Sequence, residues 1–294
     1  MRYILALLIF GIISCSPKQK DNSNIANPAE TPETTTTDPS SDWENVKVSE
    51  LKEIGYYPAF LPSGNEIIFS TSNYQGLYLY NLKDQSKTEL TTARGAGYNP
   101  QIKDESILYE VKSKTTSYES IDLNSKKSNV LADVEGGSLK AYASKASSGP
   151  VAVVASDLNS IDLYKNGKVI KSISPAGYKN IVNATVSPNG ENILLEVSGK
   201  GGFIVDLDGK LTHNLGDLDK PSWINDNEIL YAKIKDDGMK TTGGEIFIKN
   251  ISTQKEYRIS SEFKGILENP KSNSEGDQVI ANTPDGKIIL ISKN

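Results

Sequence analysis

The 294-residue chain contains one histidine, His213, and one cysteine, Cys15. Any mechanism that needs an imidazole or a thiolate must use these two. His213 lies in the stretch Leu211-Thr212-His213-Asn214-Leu215. As a general base it would need a nucleophile and an orienting acid within hydrogen-bond reach. No Gly-x-Ser-x-Gly stretch, the turn that presents a hydrolase nucleophile, occurs in the chain. His213 therefore reads as a surface or half-buried residue of an outer strand. A lone histidine excludes a His-cluster metal site, and a lone cysteine excludes Cys-rich zinc sites and any intrachain disulfide. Asp206-Leu207-Asp208-Gly209 and Asp236-Asp237-Gly238 offer carboxylates. Neither has the alternating ligands and distal Glu of a calcium loop, and both suit hairpin turns. Gly136-Gly137 and Gly199-Lys200-Gly201-Gly202 lack the strand-to-helix setting of a phosphate loop. No catalytic residue, metal or cofactor is expected from these motifs, although a cation held by several separate segments would leave no local motif. The remaining candidates are aromatic. Tyr56, Tyr98 and Tyr178 each follow a glycine, and Trp223 stands apart. Such residues could form a ring on one face, as carbohydrate and peptide sites do, or pack in the core, where aromatics carry much of the burial.

Composition sets the frame for these candidates. The chain is 37% hydrophobic and 23% charged, with a formal net charge of -5 and a pI near 5.2. That is ordinary globular composition. It argues against a broad basic surface for nucleic acid, while scattered lysines leave room for a local basic patch. Arg2 is followed by an uncharged apolar run from Ile4 to Ile13. The run falls short of the roughly 20 residues a spanning helix needs, and its pattern is that of a secretory leader. The run ends in Ile12-Ile13-Ser14-Cys15, which resembles the bacterial lipobox. The resemblance implies diacylglycerol on the Cys15 sulfur and cleavage between Ser14 and Cys15, with acylation of the new terminus. Two or more acyl chains anchor stably where one is marginal. The alternative, an ordinary secreted protein, leaves the position of the sole cysteine to chance. Residues 16–41 contain four prolines, one isoleucine and no aromatics. Such a segment cannot bury enough apolar surface to offset its ordering entropy and reads as a flexible tether. The expected organisation is a leader over 1–14, a lipidated Cys with its tether over 15–42, and a folded domain over 43–294. The expected address is the cell envelope outside the cytoplasm, on the outer membrane where a cell has two, since Ser16 gives no retention signal of the Asp type.

The folded part repeats. Apolar runs begin at Ile67, Ile107, Val151, Ile193, Ile229 and Val279, at intervals near 40 residues. Four of them follow a proline by seven to nine residues: Pro58, Pro100, Pro221 and Pro270. Ala184 takes that place in the fourth copy, and the third has lost it. A second strand-like segment in several copies ends in Asn or Asp plus an aliphatic residue: Asn81-Leu82, Asp122-Leu123, Asp206-Leu207 and Asn250-Ile251. A polar turn and a shorter strand follow. In the third copy the turn is Asn166-Gly167, a strong two-residue hairpin signal. Four short antiparallel strands in about 40 residues describe the blade of a propeller. Segments such as Gly76 to Leu82 are apolar on both faces, as a blade packed between two neighbours requires. The last copy runs out after three strands, and Glu44 to Leu51 reads as the missing outer strand. The expectation is an all-β, six-bladed β-propeller with four-stranded antiparallel blades, closed by an N-terminal strand.

The stretches PAFLPSGNEIIF, ATVSPNGENILL, PSWINDNEILY and PKSNSEGDQVIA resemble the TolB-type propeller repeat over most of residues 55–294. The turn Asp of that repeat is Ser63 or Asn189 here. TolB also carries a further N-terminal domain where this chain has the tether, so its partners do not transfer. The resemblance implies a rigid ring whose loops bind something. A monomeric protein- or peptide-binding scaffold, tied to the membrane through lipid on Cys15, comes first. A lipoprotein that binds a glycan or small ligand at the channel mouth comes second. A metal-dependent propeller enzyme comes third and would need acidic residues converging on the axis.

Overall fold

A computed structural model describes residues 43–294 apart from 104, 133 and 135–137. The leader, Ser14, Cys15, the tether and Gly136-Gly137 lie outside the described residues. Among the described residues, twenty-three strands form six antiparallel sheets arranged as the blades of a propeller. β1 (Val46–Ile54) precedes the first blade, which is β2 (Tyr56–Phe60), β3 (Glu66–Thr71), β4 (Gln75–Asn81) and β5 (Lys87–Arg94). The second is β6 (Gln101–Lys103), β7 (Ser106–Lys112), β8 (Thr116–Asp122) and β9 (Ser128–Val130). The third has a short helix, α1 (Leu139–Ala143), and then three strands, β10 (Val151–Val154), β11 (Ile161–Lys165) and β12 (Lys168–Ile173). The fourth is β13 (Ile181–Val186), β14 (Asn192–Val197), β15 (Gly201–Asp206) and β16 (Leu211–Gly216). The fifth is β17 (Asp219–Asn225), β18 (Glu228–Asp236), β19 (Thr241–Asn250) and β20 (Glu256–Arg258). The sixth is β21 (Glu268–Ser272), β22 (Gln278–Asn282) and β23 (Lys287–Lys293), with β1 as its outer strand.

That last pairing closes the ring. Val46 stands opposite Lys293 and Glu50 opposite Ile289, so the two ends of the domain share one sheet. Trp43, just before β1, is buried in the cluster between the fifth and sixth blades, with the Lys293 ammonium 4.9 Å from its ring centre. The strand expected over 44–51 is therefore present, shifted by two to three residues.

The second strand of each blade explains the apolar runs. In β3, β14 and β22, consecutive residues are buried although they point to opposite faces. Each blade is sandwiched between two neighbours, so both faces are core. Every fully buried Ile or Leu there contributes about 1.5–3 kcal/mol. Apolar clusters fill the interfaces between blades one and two, three and four, four and five, five and six, and six and one. Between blades two and three stands α1, capped by the Ser138 hydroxyl accepting from the Ala141 N–H at 3.1 Å. Its Leu139 and Ala141 are buried, and it touches β6, β7 and β10. This is the copy that lacks the proline. A helix takes the place, in chain order, of its innermost strand.

Antiparallel order gives the ring two ends. The turns between first and second strands and between third and fourth strands lie at one end. The connections between second and third strands and between blades lie at the other. At the turn end, the repeated Asx residue has a local task. Asn81, Asp122, Asp206 and Asn250 each accept two backbone N–H groups of the following turn through Oδ1, as Asp206 does from Asp208 and Lys210 at 2.9 Å each. Asn166 and Gly167 both have positive φ, as a type I′ hairpin turn requires.

Candidate functional site: the axial cavity

The innermost strands surround a cavity of about 450 Å³ on the ring axis, within the usual range for small-molecule sites. The repeated prolines form its wall: Pro58, Pro100, Pro221 and Pro270 all line it. Each is preceded by a residue in the left-handed region, Tyr57 (φ 55°), Asn99 (48°), Lys220 (53°) and Asn269 (54°). That conformation is uncommon for non-glycine residues, and a following proline favours extended backbone instead. Irregular register accompanies three of the four, between Tyr56 and Ala59, Asp219 and Ser222, and Glu268 and Lys271. Bulges of this kind redirect side chains. Here they repeat at one level around the axis. Side chains of neighbouring blades hold two of the turned backbones: Asn282 Oδ1 accepts the Tyr57 N–H and Glu196 Oε1 accepts the Lys220 N–H, both at 3.2 Å.

One flank of the cavity is aromatic. Tyr57 and Tyr74 stack with ring centres 4.5 Å apart, and Tyr74 meets Tyr98 edge-on at 5.2 Å. Tyr74 ends a single 3-10 turn between β3 and β4, and Tyr98 lies in the connection from β5 to β6. All three therefore belong to the end of the ring opposite the repeated turns. Burial first, and the neighbouring Tyr74 second, push the Tyr57 phenol well above the ordinary tyrosine range.

The rest of the wall is basic. Among the described residues, the lining includes Lys140 of α1, Lys220 of β17 and Lys271 of β21, and no carboxylate. Lys140 Nζ donates to the Ala184 carbonyl oxygen at 2.6 Å. Burial first, and the Lys271 charge second, push its ammonium down to about 8. Lys271 is open to the solvent of the cavity. Protein nonetheless crowds it closely enough that lost hydration, and then the Lys220 charge, hold it below the ordinary lysine range. The opposing charge that acts on it is Glu196, whose own carboxyl burial pushes upward.

Of the aromatics singled out in the sequence, Tyr98 lines the cavity. Tyr56 adjoins the lining residue Tyr57 but does not itself line the cavity. Tyr178 packs on Phe203 with ring centres 4.6 Å apart, against the core between blades three and four. Trp223 packs against the cluster between blades four and five and donates its indole N–H to the Thr185 carbonyl at 3.1 Å. Tyr57 and Tyr74, which complete the aromatic flank, and the lysine trio carry no repeated sequence signal. The repeated prolines, read from the sequence only as markers of the repeat, line the cavity. His213 sits on the outer strand β16, with Nδ1 3.2 Å from the Thr212 hydroxyl and away from the cavity lining. Gly201 and Gly202 lie in β15, where a Cβ at Gly201 would overlap the Gly216 carbonyl of β16, so close strand approach accounts for that glycine. Among the described residues, no three His, Cys, Asp or Glu side chains are grouped to hold a metal ion.

No protein-family model matches the chain, and no curated protein matches it in sequence. Solved structures similar to it include hydrazine synthase from Kuenenia stuttgartiensis, at 12% identity and TM-score 0.49 over 83% of this chain and 78% of that one. The β-propeller domain of Cps50 (Swd1) from Myceliophteria thermophila is similar at 12% identity and TM-score 0.44, over 81% and 83%. TolB from Acinetobacter baumannii is similar at 13% identity and TM-score 0.34, over 84% of this chain and 54% of that one. What the chain is rests on its own sheet order: a six-bladed β-propeller closed by its N-terminal strand.

Proposed function

We propose that this chain is a non-catalytic binding propeller of the cell envelope, anchored by lipid on Cys15, that holds a small ligand in its axial cavity. The observation that carries this reading is the cavity itself. Separate elements of the ring bring a tyrosine stack and a polar wall together around a space of ligand size. Between the two binding readings of the sequence, this geometry favours the ligand-binding one. The scaffold reading keeps one observation in its favour. Val130, Val169 and Leu211, on the outer strands of three successive blades, are all exposed, and exposed apolar edges attract partners.

Native mass spectrometry of the full chain, purified from its own envelope in detergent, tests the reading. A bound small molecule present in the wild type and absent from Tyr74→Ala is the expected result, because that substitution removes the ring shared by both aromatic contacts. Ligand-free wild-type protein, or a ligand retained equally by Tyr74→Ala, would overturn it. The anchor has a separate test: Cys15→Ala moves the protein from the membrane fraction to the soluble fraction, and unchanged fractionation removes the lipid from the account.

A further inference from the structure

We infer that the cavity takes a ligand bearing a compact, multiply charged oxyanion, a phosphate group or clustered carboxylates, held by Lys140, Lys220 and Lys271. The inference rests on the reading of the cavity as a binding site and specifies its ligand chemistry.

Three observations carry it. The first is distribution. The chain as a whole is acidic, with a net charge of -5, yet among the described residues its axial cavity is lined by lysines and no carboxylate. The second is convergence. The three lysines come from the third, fifth and sixth blades, so no local basic run and no single amphipathic face accounts for them. The third is lack of a counter-charge. Among the described residues, no carboxylate lies within 4.0 Å of any of the three. The one acceptor shown for them is the neutral Ala184 carbonyl. Two acidic groups on the same strands or the next are already engaged with backbone. Glu196 accepts the Lys220 N–H, and Asp219 Oδ2 accepts the Ile234 N–H at 3.0 Å.

Like charges gathered in a partly desolvated space oppose folding, and ordinary structural lysines avoid this by pairing or by reaching bulk water. A ligand that brings the missing negative charge reverses the sign of every term. Repulsion becomes attraction, and the restricted solvent that weakens the ammonium groups strengthens charge-assisted hydrogen bonds to oxygen. Neutral amide side chains complete the wall, among them Asn99, Gln101 and Asn183, the last two also donating to backbone carbonyls of the lining. The hydroxyls of two further lining residues, Thr185 and Ser222, have no hydrogen-bond partner among the described residues. The tyrosine flank then contacts the uncharged remainder of the ligand.

Calorimetric titration of the full chain in detergent, at constant ionic strength, provides the test. The probes are inorganic phosphate, pyrophosphate and citrate, with chloride as the reference. Saturable binding is expected. Lys271→Met and Lys140→Met each weaken it by roughly tenfold or more, the scale of a charge-assisted hydrogen bond. Lys271→Arg keeps the charge and retains binding, which separates lost charge from a damaged fold. Lys264→Met, at an exposed site outside the cavity, binds as the wild type does. Tighter pyrophosphate identifies a phosphate-bearing ligand and tighter citrate a carboxylate-bearing one; both outcomes support the inference. Absence of saturable binding by all three probes overturns it, as does binding indifferent to the lysine variants. If a ligand sensitive to Tyr74→Ala is retained by Lys271→Met, the oxyanion fails while the binding cavity stands. If native protein carries no ligand and no probe binds, both fail together.

Discussion

The two ends of the ring are built on different physics. At the turn end, the repeated Asx and Ser side chains satisfy backbone N–H groups two to five positions away. Asn273 Oδ1 accepts the N–H groups of Asp277 and Gln278 at 3.1 Å each, and the Ser187 hydroxyl accepts the Asn192 N–H at 3.0 Å. Neighbouring turns then touch, as where the Asn189 N–H donates to Asp226 and the Ser274 hydroxyl to the Pro62 carbonyl. At the cavity end, residues far apart in sequence meet, a left-handed residue precedes each lining proline, where proline favours extended backbone, and like charges face one another. Repetition at the first end stabilises the scaffold. Irregularity at the second marks where stability has been given up, which is where function is to be sought.

Four measurements sharpen or break this contrast. The largest effect is expected from the part both ends share. Ile289 is fully buried opposite the closing strand, and Ile289→Ala should cost about 2–5 kcal/mol in chemical denaturation. A cost under about 1 kcal/mol would mean that the ring does not depend on its closure. Next comes a turn. Asn273→Ala strips two backbone donors of their acceptor and should cost about 1–3 kcal/mol, with oxyanion affinity unchanged. A change in affinity would show that the two ends communicate.

The third measurement inverts the usual expectation for a mutation. Lys271→Met, in the absence of ligand, should leave the melting temperature unchanged or raise it, because it removes an unpaired charge. A clear fall would place Lys271 among the residues that hold the fold.

The smallest effect is in pH dependence, where the ends should differ in sign. The Lys140 ammonium has a folded value near 8, below its ordinary 10.5. The unfolded chain therefore binds more protons between those values, and this group's penalty, complete below pH 8, disappears as pH approaches 10.5. The stability of wild type relative to Lys140→Met should rise between about pH 8 and 10, and saturating oxyanion should flatten that rise. At the turn end, hydrogen bonds from backbone and from Ser125 hold Asp122 below the ordinary range, and backbone N–H groups do the same for Asp206. Their contribution is present above the ordinary carboxylate value and lost as pH falls through the lowered one. Melts of Asp206→Asn and wild type should converge on acidification, and parallel curves would count against the turn assignment.

Much of the scaffold was legible in the sequence because its determinants are local. The apolar runs, the Asx-aliphatic pairs, the Asn166-Gly167 turn and the closing segment after Trp43 each act within one strand or hairpin. Their interval near 40 residues follows from one blade being one hairpin pair. The short helix in the third copy showed only as a lost proline, since a five-residue helix has too few positions to display a period.

The cavity was legible only in part. Tyr98, one of the glycine-preceded aromatics, does line it, but nothing in the chain announces that Tyr57, Tyr74 and Tyr98 stack, or that Lys140, Lys220 and Lys271 face one space. Local sequence determined the blades, their order and their turns, because hydrogen-bonded hairpins and two-faced strands are specified by residues near one another. The tertiary structure alone decided the site. Closing six blades into a ring brings positions more than 100 residues apart to a common axis, and the charge and shape gathered there belong to the ring, not to any segment of it.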